Sequence, residues 1–251
     1  MGISLVVLNI GKCFQAVVTY SFSNKLDEQQ LTELMQEILQ KDELLQKHFS
    51  KTHIIWSFPE SILLPPGLVN SDNNSDMLNL VYGDAKKGYV KSDFLYRHNL
   101  HNIYRVPEGI EASFALKFPY AAQTHQYSLL VNREMNNGED ELFVLFYTNS
   151  LTMMLCKEGR LQVIQNFTFD NPEDTAYHLL NVCKSFEVAP NKVKLHISGM
   201  IDERSNLYTA IYKYFLHIEF DGLPHDHVYA EEIKDHPPHF FSHLFALAAC
   251  V

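Results

Sequence analysis

At 251 residues with 46% hydrophobic content, the chain can bury a full core, as one large domain or as two intimate lobes of about 125 residues each. Its 20 basic against 30 acidic residues give a net charge of −10, and no stretch collects Lys and Arg in the clusters that neutralise phosphate backbones, which argues against nucleic acid. Cys13, Cys156, Cys183 and Cys250 are scattered without a C-x-x-C pair, so free thiols in a reducing compartment are expected.

The opening apolar run is broken by Asn9, Gly11 and Lys12, and no basic region precedes it, so neither a signal peptide nor a membrane-spanning helix fits. The expected location is the cytoplasm. Residues Ile3–Leu8 and Cys13–Phe22 read as a hairpin around Asn9–Lys12. From Asp27 to Phe49, Leu31, Leu34, Met35, Ile38 and Leu45 recur at helical spacing. Thr52–Phe58 is a strand closed by Pro59, and Pro65-Pro66-Gly67 forces an extended or turning segment. Asn70–Asp76 is a polar loop and Met77–Tyr82 a short helix. Alternation predicts strands at Tyr89–Tyr96 and His101–Val106; Pro107–Phe118 then reads as a helix and Gln126–Val131 as a strand. Glu134–Asp140, with Asn136-Asn137-Gly138, is the most linker-like stretch, which places the lobe boundary between residues 138 and 139.

The second half reads more sharply. Leu142–Tyr147, Leu151–Lys157 and Leu161–Phe169 are apolar runs separated by short polar turns, the pattern of consecutive hairpins. A helix follows, with Asp170 or Asn171 as cap, Pro172 in the first turn, Glu173 and Asp174 at the positive end of the dipole, and Ala176, Leu179, Leu180, Cys183 and Phe186 on one face. Strands are expected at Lys192–Ser198 and His217–Phe220, with a helix between them. The β-β-β-α-β-α-β order is that of ribonuclease H-like and actin-like half-domains, with Lys192–Ser198 joining the first strand in parallel. Gly11-Lys12 leading to Tyr20-Ser21-Phe22 and a capped helix echoes Gly159-Arg160 leading to Phe167-Thr168-Phe169 and a capped helix. Two readings stand: chance likeness of two hairpins, or a duplication in which the first lobe lacks a counterpart of Leu142–Tyr147.

The Gly-Lys turn with its aromatic-Ser-Phe strand end, Thr52–Phe58 followed by Leu63-Leu64-Pro65-Pro66, the helix start Asp170–Leu180 and His196-Ile197-Ser198-Gly199 resemble an uncharacterised bacterial family of chains about this long. The resemblance covers nearly the whole chain. It implies an α/β architecture of mixed sheets: two ribonuclease H-like lobes in an actin-like ATPase (ASKHA) fold, similar to cytoplasmic pilus-assembly and secretion proteins. Active members of that superfamily hold ATP and magnesium between the lobes, each lobe giving a turn with an Asp and glycines that let backbone amides approach phosphate. Here the second-lobe turn is Tyr147-Thr148-Asn149-Ser150, with neither Asp nor Gly, and the first-lobe turn is either absent or Asn9–Lys12 with Asn in the Asp position. The adenosine-contacting turn survives as Ser198-Gly199-Met200, with one glycine where a pair is usual. Asn149, Ser150, Ser198 and Gly199 are therefore the candidate cofactor-binding residues of a degenerate cleft.

Other chemistry finds little footing. His225-Asp226-His227 and the pair His239 and His243 invite a metal, yet a solvated loop and polar helix positions explain them, and no H-E-x-x-H is present. Glu173-Asp174 and Asp202-Glu203 suit helix starts. There is no G-x-S-x-G, P-loop or G-x-G-x-x-G after a strand. Phe240–Val251 is apolar nearly all round but too short to span a bilayer, and reads as the closing helix of the second lobe, with an exposed partner-docking helix as the alternative. The expected function is a non-catalytic pseudo-ATPase working through an unidentified protein partner, with no cofactor and no metal; the alternative is a nucleotide-binding switch or weak ATPase holding ATP with magnesium.

Overall fold

The computed structural model describes residues 2–22, 26–70, 73–83, 87–133 and 138–250. The linker stretch at residues 134–137 and the middle of the Asn70–Asp76 loop, residues 71–72, lie outside them. The chain divides into two compact units, Met1–Gly2 with Ser21–Asn132, and Ile3–Tyr20 with Arg133–Val251.

The second unit contains the element order expected from sequence: β8 (Glu141–Phe146), β9 (Ser150–Lys157), β10 (Arg160–Thr168), α5 (Pro172–Ser185), β11 (Lys194–Gly199), α6 (Asn206–Tyr212) and β12 (His217–Phe220). They form one sheet in the order β10-β9-β8-β11-β12, with β8 to β10 an antiparallel meander and β11 parallel to both β8 and β12. Every residue of β8 is buried, which explains its unbroken apolar run: a central strand covered on both faces has no side to give to water. On one face Leu142, Val144 and Phe146 pack against Leu179, Val182 and Cys183 of α5 and Ile211 of α6. Asn171 caps α5 by accepting from the Asp174 amide, and Asp174 reciprocates. The buried face of α5 is Thr175, Ala176, Leu179, Val182 and Cys183; Leu180 and Phe186, expected on it, are half-buried at its margin.

This unit also holds the opening hairpin, β1 (Gly2–Leu8) and β2 (Cys13–Ser21), joined by the two-residue β13 (Val228–Tyr229), with α7 (Glu231–Lys234) and α8 (Pro238–Ala249) completing the chain. Phe14 of β2, Ile233 of α7 and Phe245 of α8 make a small core, and α8 also packs on β11, so the apolar tail is the closing helix expected.

The first unit runs α1 (Glu28–Lys41), β3 (His53–Trp56), β4 (Ser61–Leu64), a 3₁₀ turn at Pro66–Leu68, α2 (Asn74–Tyr82), β5 (Gly88–Leu95), β6 (Leu100–Pro107), α3 (Glu108–Lys117), β7 (Ala122–His125) and α4 (Gln126–Leu130). β3 pairs in parallel with β7, and β4-β6-β5 is a separate antiparallel sheet. Hairpin, helix and strand (β1, β2, α1, β3) repeat the order β9, β10, α5, β11. β8 lies between β9 and β11, whereas β1-β2 and β3-β7 fall in different sheets.

Two expectations need correction. The first helix starts at its Asp27 capping box but stops at Lys41, short of Phe49. Asp42 Oδ1 takes the Leu45 amide (2.9 Å) and the Gln46 side chain satisfies the Leu39 and Gln40 carbonyls (3.0 Å each), so local side chains end the ladder without Gly or Pro. Gln126–Val131 is helix α4, not a strand: the His125 ring caps it, Nδ1 accepting the Tyr127 amide at 3.1 Å, and the strand is the preceding Ala122–His125.

Candidate functional site

Parallel β8 and β11 bring the four candidate residues to one end of the sheet. Ser198 pairs in register with Leu145 and Gly199 with Phe146, while Asn149 and Ser150 lie on the turn that leaves Phe146. The carboxyl ends of parallel strands are where open α/β sheets bind ligands. All four candidates therefore sit at that end of the sheet.

The turn is closed by its own backbone. Tyr147 N donates to Ser150 O (2.8 Å), and Asn149 O accepts Phe169 N (3.1 Å), tying the turn to the end of β10. Gly199 has φ +85°, and a Cβ there would collide with the Phe146 carbonyl oxygen and touch Leu145 Cδ1 at 3.0 Å. Met200 N donates to that same oxygen at 2.8 Å. The glycine is thus demanded by packing of β11 on β8. The next carbonyl but one, Ile201 O, accepts His239 Nε2 from α8 at 2.7 Å. Asn9 is likewise committed: its Oδ1 accepts the Cys13 amide (2.9 Å) and its carbonyl accepts Lys12 N (3.1 Å) in the hairpin turn.

The histidine clusters do not converge on a metal. His239 is bound to Ile201 O, His243 faces the Tyr147 ring with centroids 6.1 Å apart, and His227 lies on Phe14 at 5.0 Å. Burial drives the His243 pKa down to about 4, so its ring is neutral near pH 7. Among the described residues no group of three His, Cys, Asp or Glu could hold a metal ion. A groove of about 270 Å3 lies between the start of α5 and α6, lined by Pro172, Glu173, Asn206, Thr209, Ala210 and Lys213, and contains none of the four candidates.

Sequence reasoning missed a polar cluster on the sheet face opposite α5. Arg133 grips Asp221 with two bonds (3.0 and 2.8 Å) and lies 4.2 Å over the Phe143 ring, which stacks on His196 at 4.6 Å. Buried Glu141 is 3.1 Å from His196 Nε2. Burial, and then the Arg133 charge, hold the His196 pKa below its usual value, so a neutral imidazole donates its Nε2 proton to the Glu141 carboxylate. Cys156, opposite Glu141 in the β8-β9 register, is pushed up to about 12 by burial and then by that carboxylate. A thiol held protonated this way is no nucleophile. The only sequence signal was Glu141 opening an apolar strand; Arg133 and Asp221 are 88 positions apart.

Two solved structures show the class to which this architecture belongs. A protein of unknown function from Bacteroides thetaiotaomicron VPI-5482, described as having an actin-like ATPase fold, superposes with TM-score 0.77 at 16% identity, over 88% of this chain and 86% of that one. A chain of the PilM-PilN type IV pilus biogenesis complex does so with TM-score 0.63 at 10% identity, over 100% of this chain and 95% of that one. At such identities the likeness establishes an actin-like ATPase fold. Residues 1–218 match the family described as "Protein of unknown function (DUF3822)", and the chain belongs to it. No curated protein matches it. Among the described residues no helix is long and apolar enough to cross a membrane.

Proposed function

We propose that this protein is a cytoplasmic, non-catalytic assembly component: an actin-like fold whose nucleotide apparatus has decayed and which works by protein–protein contact. In this reading the chain comprises two ribonuclease H-like lobes, residues 1–138 and 139–251, and neither ATP nor magnesium is bound. The observation that carries it is Gly199, whose missing side chain is filled by the Phe146 carbonyl, so the one glycine left in the adenosine turn serves the sheet and not a ligand. The bonds closing Tyr147–Ser150, and Asn9 spending its side chain on Cys13, support it at the turns where phosphate and metal would be held. The residues present do not fit a nucleotide, and a net charge of −10 adds no attracting field. A structural neighbour occurs in the PilM-PilN complex, a pairing of a chain of this fold with another protein.

The test is a melting curve with millimolar ATP and magnesium. A ligand at a hundred times its dissociation constant adds about 2.7 kcal/mol, a readily visible shift. No shift and no phosphate release above background are expected. A clear shift lost in Thr148→Trp, a change on the exposed tip of the turn, would establish the nucleotide switch instead. Gly199 is unsuitable for that control, because any side chain there disturbs the strand pairing whether or not ATP binds.

A further inference from the structure

The three-stranded sheet of the first unit ends in β5, an eight-residue strand with no strand beyond it among the described residues. Which of its backbone groups face outward follows from the register. Arg105 N donates to Glu60 O at 3.0 Å, on the β4 side of β6, so Arg105 turns its amide and carbonyl away from β5. Arg105 opposes Val90, Ile103 opposes Ser92 and His101 opposes Phe94. These three pairs are therefore the non-hydrogen-bonded ones, and the N–H and C=O groups of Val90, Ser92 and Phe94 project from the free edge at every second residue. Among the described residues none of these groups bonds to backbone outside the strand ladder.

Natural sheets blunt such edges with bulges, charges or short strands. The free edge of β10 carries a register shift between Leu161 and Val163, and β4 and β12 have four residues each. The strand β1 shows solvent no aromatic side chain. By contrast β5 is long and regular in pairing. Its two charged side chains, Lys91 and Asp93, are engaged within the fold, Lys91 in an ion pair with Glu111 at 2.8 Å and Asp93 accepting from Ser128 at 2.6 Å, the His125 amide at 2.7 Å and Tyr104 at 3.2 Å. Tyr89, Phe94 and Tyr96 are exposed, and Phe94 packs edge-on to Tyr96 at 4.6 Å and against His101 at 4.8 Å, a preformed aromatic shelf beside the edge.

We propose that the β5 edge is a docking site for an extended, acid-flanked peptide of a partner protein, which adds as a further strand to the sheet. This rests on the reading of the protein as an assembly component. Main-chain bonds to Val90, Ser92 and Phe94 supply the affinity, and the shelf grips alternate side chains. The charges select the occupant. Exposed Lys87 precedes the strand and exposed Arg97, which also donates Nη1 to Asn132 O at 3.4 Å, follows it, both cationic on a chain of net charge −10. A second copy pairing antiparallel about Ser92 would set Val90 against Phe94 of the copy, and would bring Lys87 toward Arg97 of the copy at both ends. Like charges meet there; carboxylates at the two ends of a peptide meet cations.

The probe is a fluorescein-labelled peptide of alternating Thr and Val with two Glu at each end, compared by anisotropy with the same peptide ending in Lys. The Glu form should bind about fivefold tighter at low salt. Ser92→Pro removes an outward N–H that the fold does not use, together with the exposed Ser92 Oγ–His101 Nδ1 bond of 3.0 Å, and should weaken binding at least about tenfold with only a slightly lowered melting temperature. Should that variant fail to fold, Lys87→Glu with Arg97→Glu decides, since it must invert the preference toward the Lys peptide. Amide exchange at Val90, Ser92 and Phe94 should slow on binding. Binding of neither peptide, a preference that does not invert, or a concentration-dependent dimer abolished by Ser92→Pro overturns the proposal. Peptide failure without an ATP shift removes this surface and leaves the assembly reading standing, whereas an ATP shift with intact peptide binding sinks the non-catalytic reading alone.

Discussion

The two units bury their interiors by different means. In the second, Leu142, Val144, Phe146, Met153 and Leu155 of the sheet meet Leu179, Val182 and Cys183 of α5 across an apolar layer. In the first, Asn102 and His125 are wholly buried, and Ser61 and Ser128 nearly so, yet all four are polar. Asn102 lies 2.5 Å from Ser61 Oγ, 3.1 Å from His125 Nδ1 and 2.9 Å from Ser128 Oγ, while Ser128 reaches Asp93 and His125 Nε2 donates to Phe58 O at 2.9 Å. Beside them Arg105 bridges Glu60 (3.1 Å) and Asn79 (2.7 Å). An apolar layer degrades gradually when a methylene is lost; a buried polar network depends on every partner being present.

Removing one end of the buried ion pair should have the largest effect. Arg105→Ala leaves the Glu60 carboxylate in the interior without its guanidinium, and should cost about 3–5 kcal/mol in urea denaturation. Arg105→Met combined with Glu60→Leu should lose less than Arg105→Ala, because both charges then leave together. A loss below about 1 kcal/mol for Arg105→Ala, the value of an exposed pair, would mean that the site is wet in solution.

The apolar counterpart comes next, and it separates two neighbours that a helical wheel treats alike. Leu179 is fully buried in the core and Leu180 only packs at its rim. Leu179→Ala should cost about 3 kcal/mol through lost burial and the cavity left behind, with Leu180→Ala clearly milder. Equal losses would contradict the orientation of α5 on the sheet.

This contrast accounts for what could be read in advance. The meander, α5 and β11 were legible because their cores are apolar, and apolar periodicity is a local signal: Leu142–Tyr147 and Leu161–Phe169 announce themselves within a few residues. The first unit hides its logic in pairs distant in sequence. Asn102 and His125, or Arg105 and Glu60, look like ordinary surface residues until folding joins them. Gln126–Val131 reads as a strand in the sequence because a histidine cap carries no start signal of the Ser, Thr, Asp or Asn kind. The candidate turns lie at adjacent strand ends, and at Gly199 the Phe146 oxygen leaves no room for a side chain. Close backbone approach is a three-dimensional fact that one glycine in a sequence cannot declare.

The smallest expected effect is a pH dependence that also divides the units. Burial lowers the His125 pKa to about 4, with the bond to Phe58 O pulling weakly the other way. Unfolded, the ring returns to about 6.5, so between those values the unfolded chain holds the extra proton and stability falls as pH falls. The contribution is complete above pH 6.5 and gone below about 4; at pH 5 about 1.5 pK units have been traversed, or about 2 kcal/mol. His243 of the second unit, also lowered to about 4 by burial, acts with the same sign, so the wild-type slope contains both. His125→Gln keeps a donor for Phe58 O and cannot titrate. It should be less stable than wild type at pH 7, where it lacks the full set of bonds to Asn102 and Tyr127, yet lose about 2 kcal/mol less between pH 7 and pH 5. Staying above pH 5 keeps most carboxylate titration out of the comparison. Parallel urea curves for the two proteins across that range would show that the imidazole is hydrated, and that the network around Asn102 is looser than its distances imply.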